Sequence, residues 1–274
     1  MLTCEMYEGN AAYATAIAAA VEVFHNFTLV HDDIVDGASM RRGKPSVHEK
    51  FGLNTALLAG DGLLLFAYEY LGHLPASLFS KTTIRMNKVA LLILEGQQMD
   101  LEFEKRKGVS IDGYLKMIEY KTAALLGLSL QLGAITSAAD DDELQKLYRL
   151  GVLIGLAYQI QDDYLDAFGN EKLFGKTIGG DISRGKKSYL HVVAYQRANA
   201  QQYKKLKHAE MLHNGSKIKA MIELYKSIGA DAVAQQHIQA LNAEATEVLH
   251  SLNVPVYKKS GLQSLLHALQ KRVA

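Results

Sequence analysis

Proline occupies only three of 274 positions, Pro45, Pro75 and Pro255, and this scarcity constrains the fold more than any other feature of the chain. Proline removes a backbone donor and clashes with the preceding turn, so the long stretches without it are free to be helical. Within them apolar residues recur at i, i+3 and i+4, among abundant Ala, Leu, Lys, Glu and Gln. The pattern predicts an all-α protein of about ten helices, with spans near 10–34, 52–71, 82–106, 110–137, 142–167, 188–211, 215–228, 231–252 and 259–272. The length suffices for a sizeable core, as one large domain or two small ones. No internal linker, low-complexity tract or fixed-period repeat divides the sequence, so residues 1–274 read as a single domain.

The chemistry is concentrated in a repeated motif. His31-Asp32-Asp33-Ile34-Val35-Asp36 returns far downstream as Gln161-Asp162-Asp163-Tyr164-Leu165-Asp166, each copy at the end of a long apolar-periodic segment. On a helix the three aspartates of D-D-x-x-D fall at about 0, 100 and 40 degrees, which predicts one acidic stripe per cluster. Like charges near a helix C-terminus, where the macrodipole also disfavours anions, call for a cation. Hard oxygen ligands with nothing soft nearby point to Mg²⁺, which keeps much of its water and takes one or two carboxylates plus substrate phosphates. Asp140-Asp141-Asp142-Glu143 is the contrasting case. It stands before an apolar-periodic run and reads as a helix N-terminus whose acids complement the dipole.

Basic and glycine-rich segments follow each cluster. After Asp36 comes Arg41-Arg42-Gly43-Lys44-Pro45 in a glycine-bounded loop, and arginine forks bind phosphate oxygens in pairs. After Asp166 comes Gly175-Lys176-Thr177-Ile178-Gly179-Gly180-Asp181, running on to Lys186-Lys187-Ser188, where glycines let backbone and lysines approach a phosphate. A Walker P-loop is excluded, because its glycine spacing is absent and nothing strand-like precedes the segment.

These residues, with His25-Asn26-Phe27-Thr28, Gly96-Gln97-Gln98-Met99-Asp100-Leu101, Tyr120-Lys121-Thr122-Ala123 and Gln159-Ile160, resemble the trans-isoprenyl diphosphate synthases, the farnesyl and geranylgeranyl diphosphate synthase family. The motifs stand in the family's order over roughly residues 1 to 190. The resemblance implies a helical bundle of the isoprenoid synthase type around a central substrate cavity, working as a homodimer. It implies condensation of isopentenyl diphosphate with dimethylallyl, geranyl or farnesyl diphosphate. In that reading Asp32, Asp36 and Asp162 ligate three Mg²⁺ ions, with Asp33, Asp163 and Asp166 completing the surroundings of the metals. Arg41, Lys121, Lys176 and Lys186 bind the allylic diphosphate, and His25 and Arg42 that of isopentenyl diphosphate. Thr122 and Gln159 lie near the reacting carbons, and Asp181 holds metal-bound water. Phe24, Phe27 and Thr28, on the helix entering the first cluster, set product length, and an aromatic there implies C15–C20 with C20 ahead. The family also carries a basic G-G-K-R-like segment upstream of the first cluster. This sequence begins at Met1-Leu2-Thr3-Cys4-Glu5, which resembles the stretch after it, so the family's first helix and those basic residues are expected to be missing.

Other features narrow the field. A net charge of +1 suggests neither a nucleic-acid nor an anionic-membrane partner. Cys4 stands alone, which predicts a reduced thiol, and Glu5 and Glu8 argue against a signal peptide; together they place the chain in the cytoplasm. No apolar run is expected to span a bilayer. The scattered histidines His48, His73, His191, His208, His213, His237, His250 and His267 lack ligand spacing. His31 is either a modulator of the adjacent cluster or structural. A longer-chain synthase is the near alternative. A class I terpene cyclase has one D-D-x-x-D and a different second metal motif, a non-catalytic partner subunit would have lost a cluster, and a helical scaffold would leave both clusters without purpose.

Overall fold

Alanine-rich sequence after Asn10 starts the first long helix. In the computed structural model, which describes residues 1–106, 108–137, 139–169 and 178–271, Asn10 Oδ1 accepts from Ala12 N at 3.0 Å and Tyr13 N at 3.1 Å. The chain divides into two compact units, one of residues 1–89 and 128–145, the other of 90–127 and 146–274.

The first unit holds α1 (Leu2–Met6), α2 (Ala11–Val35), a two-stranded hairpin of β1 (Met40–Arg41) and β2 (Lys44–Pro45), α3 (Val47–Phe51) and α4 (Leu53–Leu71). It also takes the start of α5 (Ala76–Lys105), the end of α7 (Ala124–Ala134) and the start of α8 (Asp141–Phe168). α2 lies along α4 and buries Ile17, Ala20, Phe24 and Phe27, spaced three and four apart as an amphipathic helix requires. The tyrosine of α1's C-terminal cap, Tyr7, donates to the buried carboxylate of Glu143. As expected, Asp140 closes the N-terminus of α8, its Oδ1 accepting from Glu143 N at 2.9 Å.

The second unit contains the rest of α5, then α6 (Ile111–Ile118), which passes through a one-turn π-helix, Glu119–Ala123, into α7. After α8 come α9 (Gly180–Arg184), α10 (Tyr189–Arg197), α11 (Ala200–Glu210), α12 (Asn214–Ile228), α13 (Ala230–Ser251), a 3₁₀ turn at Val256–Lys259 and α14 (Ser260–Gln270). α10 packs on α6, α12 and α13. Leu147, Leu150, Leu153 and Ile160 line the buried face of α8.

The all-α expectation holds, with corrections of detail. The span 188–211 is two helices, because Asn199 and Gln202 form a capping box that starts α11. α5 begins at Ala76, directly after Pro75, rather than near 82. Short α1, α3 and α9, the hairpin and the π turn were not anticipated. α2 is, among the described residues, the one helix long and apolar enough to cross a bilayer, contrary to the expectation that none is. It packs along α4, and Asp32 and Asp33 lie in its last turn.

Candidate active site

At the end of α2 the helical period separates the aspartates. Asp32 and Asp33 occupy the last turn and Asp36 is the C-cap, followed by Gly37. Asp33 points inward and is 3% exposed, whereas Asp32 is half-buried and Asp36 exposed. Arg41 grips Asp33 Oδ1 through Nε at 2.9 Å and Nη2 at 2.5 Å, and its Nη2 is 3.5 Å from Asp32 Oδ2. The stripe of three carboxylates is therefore corrected to two outer ones and an inner anchor: the second aspartate lies about 100 degrees from the first, the third only about 40.

The hairpin carrying Arg41 turns at Arg42-Gly43, with φ of +52° and +75°. Both central residues of such a tight turn need the left-handed region, which suits Gly43 and strains Arg42. His25 sits in the same charged neighbourhood. Burial pushes its imidazole below the ordinary value, Glu22 opposes the shift, and Arg42 and Arg41 add to it. His31 turns away to α4, its Nε2 3.7 Å from Asp61 Oδ1, with its ring edge against Phe27 at 4.8 Å. Phe24 and Phe27 are buried with ring centroids 5.5 Å apart, and Thr28 Oγ1 donates to His25 O at 2.8 Å.

The second cluster repeats the arrangement with different partners. Asp163 is 3% exposed and both its oxygens are engaged. Oδ2 accepts from Tyr189 N at 2.6 Å and from the Tyr114 hydroxyl, and Oδ1 accepts from Gln159 Nε2 at 3.1 Å. Asp162 and Asp166 are half-buried. Asp166 Oδ2 accepts from Asp181 N at 3.1 Å, and Arg184 pairs with Asp181 at 2.8 Å. Burial, then the charge of Asp181, pushes Asp166 up to about 6. Asp163 is also pushed up to about 6 by burial and Asp181, with Lys186 and the hydrogen bonds acting against the shift. Lys187 holds the neighbouring segment in place by donating to Phe103 O and Arg106 O at the end of α5.

Lys121 and Thr122 lie in the π turn. Lys121 Nζ is 2.7 Å from Asp100 Oδ2. Gly96 brings α5 against this turn: a Cβ there would lie 2.3 Å from Lys121 N, so only glycine fits. Thr122 Oγ1 is 3.5 Å from Gln159 Oε1.

In the first unit the structure thus gathers Asp32, Asp33 and Arg41, and places His25 within the electrostatic reach of Arg42. In the second it links Thr122, Gln159 and Asp163, and sets Asp181 beside Asp166. Lys176 lies outside the described residues. Among the described residues, no group of three or more His, Cys, Asp or Glu side chains is preassembled around a metal. The donor set still fits Mg²⁺: carboxylate oxygens only, with Asp166 pushed up by burial and then by the charge of Asp181, the second of which a cation would offset. Sequence reasoning names Asp100 only as part of a motif, without its pairing to Lys121, and misses Tyr114 and the Tyr189 amide. Tyr114 stands seven residues before Lys121, two helical turns, which is the one signal that could have found it.

Residues 1–252 match the polyprenyl synthetase family. The chain belongs to that family. Among relatives of this polyprenyl synthetase, the short chain isoprenyl diphosphate synthase of Methanothermobacter thermautotrophicus is 36% identical over 256 residues, 91% of this chain and 78% of that one. The geranylgeranyl diphosphate synthase of Saccharolobus solfataricus is 41% identical over 204 residues, 73% of this chain and 61% of the relative's length. A solved geranylgeranyl pyrophosphate synthetase from Pyrococcus horikoshii superposes with a TM-score of 0.92 at 33% identity, covering 99% of this chain and 84% of that one.

Proposed function

We propose that this polyprenyl synthetase is a chain-elongating trans-prenyltransferase that adds isopentenyl diphosphate to allylic diphosphates and makes an all-trans C15–C20 product, C20 foremost. One observation carries the reading. Each D-D-x-x-D cluster turns its second aspartate inward as an anchor, Asp33 on Arg41 and Asp163 on Tyr114 and Tyr189 N, and leaves two outer carboxylates less buried. That pattern suits cation binding at two helix ends. The geranylgeranyl synthases among the relatives support the C20 length.

Asp32 and Asp36 in one unit, and Asp162 and Asp166 in the other, would hold Mg²⁺, which when bound supplies positive charge to the departing diphosphate. Arg41, Lys121 and Lys186 bind the allylic diphosphate and lower the barrier to breaking its carbon–oxygen bond. Lys176 joins them by the family's motif. Arg42 and His25 bind isopentenyl diphosphate, the guanidinium fork matching two phosphate oxygens. Thr122 and Gln159 lie beside the carbons where the allylic cation forms. The isopentenyl double bond attacks that cation, and a proton leaves to diphosphate oxygen. Apolar side chains of α2, Phe24 and Phe27 among them, keep water from the growing chain.

The active species is a homodimer. α4 exposes Leu58, Leu65 and Phe66, and α5 exposes Ile84, Leu91 and Leu94, stripes at heptad and half-heptad spacing that a second copy covers. Cys4, the sole cysteine, is a buried thiol, which fits a reducing cytoplasm.

Incubation with labelled isopentenyl diphosphate and each allylic primer tests the function. The expected result is label in a C20 prenyl diphosphate, abolished by EDTA. Turnover of an allylic diphosphate without isopentenyl diphosphate would instead indicate a cyclase.

A further inference from the structure

The polar chain from Tyr114 to Thr122 has a direction. A backbone N–H can only donate, and that of Tyr189 meets Asp163 Oδ2 at 2.6 Å, where the Tyr114 hydroxyl also donates. The other oxygen, Oδ1, is left for Gln159. A carboxylate is an acceptor only, so the carboxamide of Gln159 turns its NH₂ to Asp163 and its carbonyl away. That carbonyl, Oε1, faces the Thr122 hydroxyl at 3.5 Å. A carbonyl is likewise an acceptor only, so the single hydrogen of Thr122 is directed at Gln159. The separation is long for a hydrogen bond, and catalytic contacts of this length tighten when substrate binds. What Thr122 presents to its other side is oxygen lone pairs.

We propose that Tyr114 and Asp163 are positioning residues of prenyl transfer: through Gln159 they fix the polarity of the Thr122 hydroxyl, so that lone pairs rather than a hydrogen meet the allylic cation. The inference rests on the placement of Thr122 beside the reacting carbons made above. A lone pair aimed at developing positive charge stabilises it, and a hydroxyl hydrogen in the same place opposes it. Both outcomes are compatible with the same shape, which is why the burial of Tyr114 and Asp163, 2% and 3% exposed, is informative. Two polar groups sunk this deep in the second unit hold one amide in one of its two orientations. Asp163 then serves the reaction through Gln159 rather than as a metal ligand, with three of its roughly four acceptor sites occupied by Tyr114, Tyr189 N and Gln159.

Asp163→Asn tests this because it keeps the shape and reverses one group. The new carboxamide can still accept from Tyr189 N and Tyr114 through its oxygen, while its NH₂ now donates to Gln159. Gln159 flips and turns its own NH₂ on Thr122, whose hydrogen then points the other way. The kcat for condensation should fall about tenfold or more, while the allylic KM and the Mg²⁺ concentration for half-activity change by less than about threefold. Adding Gln159→Glu to Asp163→Asn restores an acceptor-only group opposite Thr122, so the double variant should regain about threefold or more of the lost kcat. Gln159→Glu alone sets two carboxylates together and should not. If the double variant is no better than Asp163→Asn, the relay is overturned. A tenfold shift in Mg²⁺ half-activity for Asp163→Asn overturns it too, because Asp163 is then a metal ligand. Thr122→Val separates the two levels of the argument: an unchanged kcat means that Thr122 is misplaced, whereas a lowered kcat with Asp163→Asn unaffected removes only the relay. Should Asp163→Asn fail to fold, Gln159→Met cuts the same chain at a half-buried position, and there kcat must fall with KM held or the inference fails.

Discussion

Arg41 illustrates how a single side chain links stability to chemistry. Its fork on Asp33 neutralises a carboxylate that is 4% exposed, so Arg41→Ala leaves that charge buried and uncompensated. The expected loss is about 2 kcal/mol, less than for a fully buried pair because Arg41 itself is 38% exposed. Urea unfolding measures it, and Asp33→Asn in the same background should recover part of the loss; no recovery would locate the damage elsewhere. The second cluster carries a pH signature. Asp163 and Asp166, held up near 6, bind protons in the folded state that the unfolded chain releases near its ordinary value. Their contribution is present below about pH 4 and lost as pH rises through about 6. Mg²⁺ held by Asp162 and Asp166 as proposed would offset the Asp166 part of that loss, so it should raise the melting temperature more at pH 8 than at pH 5; equal shifts at both pH values would count against metal binding there. The Mg²⁺ difference is the quantity to read, because His191, pushed down to about 4 by burial, contributes stability that is lost in the opposite direction, as pH falls from its unfolded value toward 4. The motif residues themselves could be read from the sequence. The inward turn of Asp33 and Asp163 was implicit in the helical period. Tyr114 and the Tyr189 amide, 49 and 26 positions from Asp163, were not legible, since only tertiary packing brings them there.

Among elements, the long helices were legible because each carries a strong apolar period and few breakers. The division at Asn199 is written in the sequence as Asn-x-x-Gln, while the π turn at 119–123 leaves no local signature. That turn is held by its contact with α5, which gives a sharp expectation for Gly96→Ala. The added methyl would collide with Lys121 backbone atoms, which cannot swing aside as a side chain can. The variant should lose more than about 2 kcal/mol of stability, together with most of its activity; a wild-type denaturation midpoint would show that α5 yields easily. On α2 the expectation concerns product length. Phe27→Ala removes a buried ring packed between Phe24 and His31, at about 3 kcal/mol of stability, and opens room for further C5 units. Products should lengthen beyond C20, whereas Thr28→Tyr should shorten them. Chromatography of the dephosphorylated products decides, and an unchanged length in Phe27→Ala would place the floor on another helix.

For the whole molecule, the exposed leucines of α4 give the test of assembly. Leu58→Glu with Leu65→Glu places two charges on one apolar stripe and should yield a monomer by light scattering, with the helical content unchanged. A dimer that survives both changes uses another face. The apolar length of α2 has a different consequence, one for the birth of the protein. Its partner α4 is complete only at Leu71, and at about 5–20 residues per second a ribosome takes roughly two to seven seconds to travel there from Val35. Through that interval an apolar segment waits without its shelter, closed at its C-terminal end by Asp32-Asp33, the acidic pair proposed to serve catalysis.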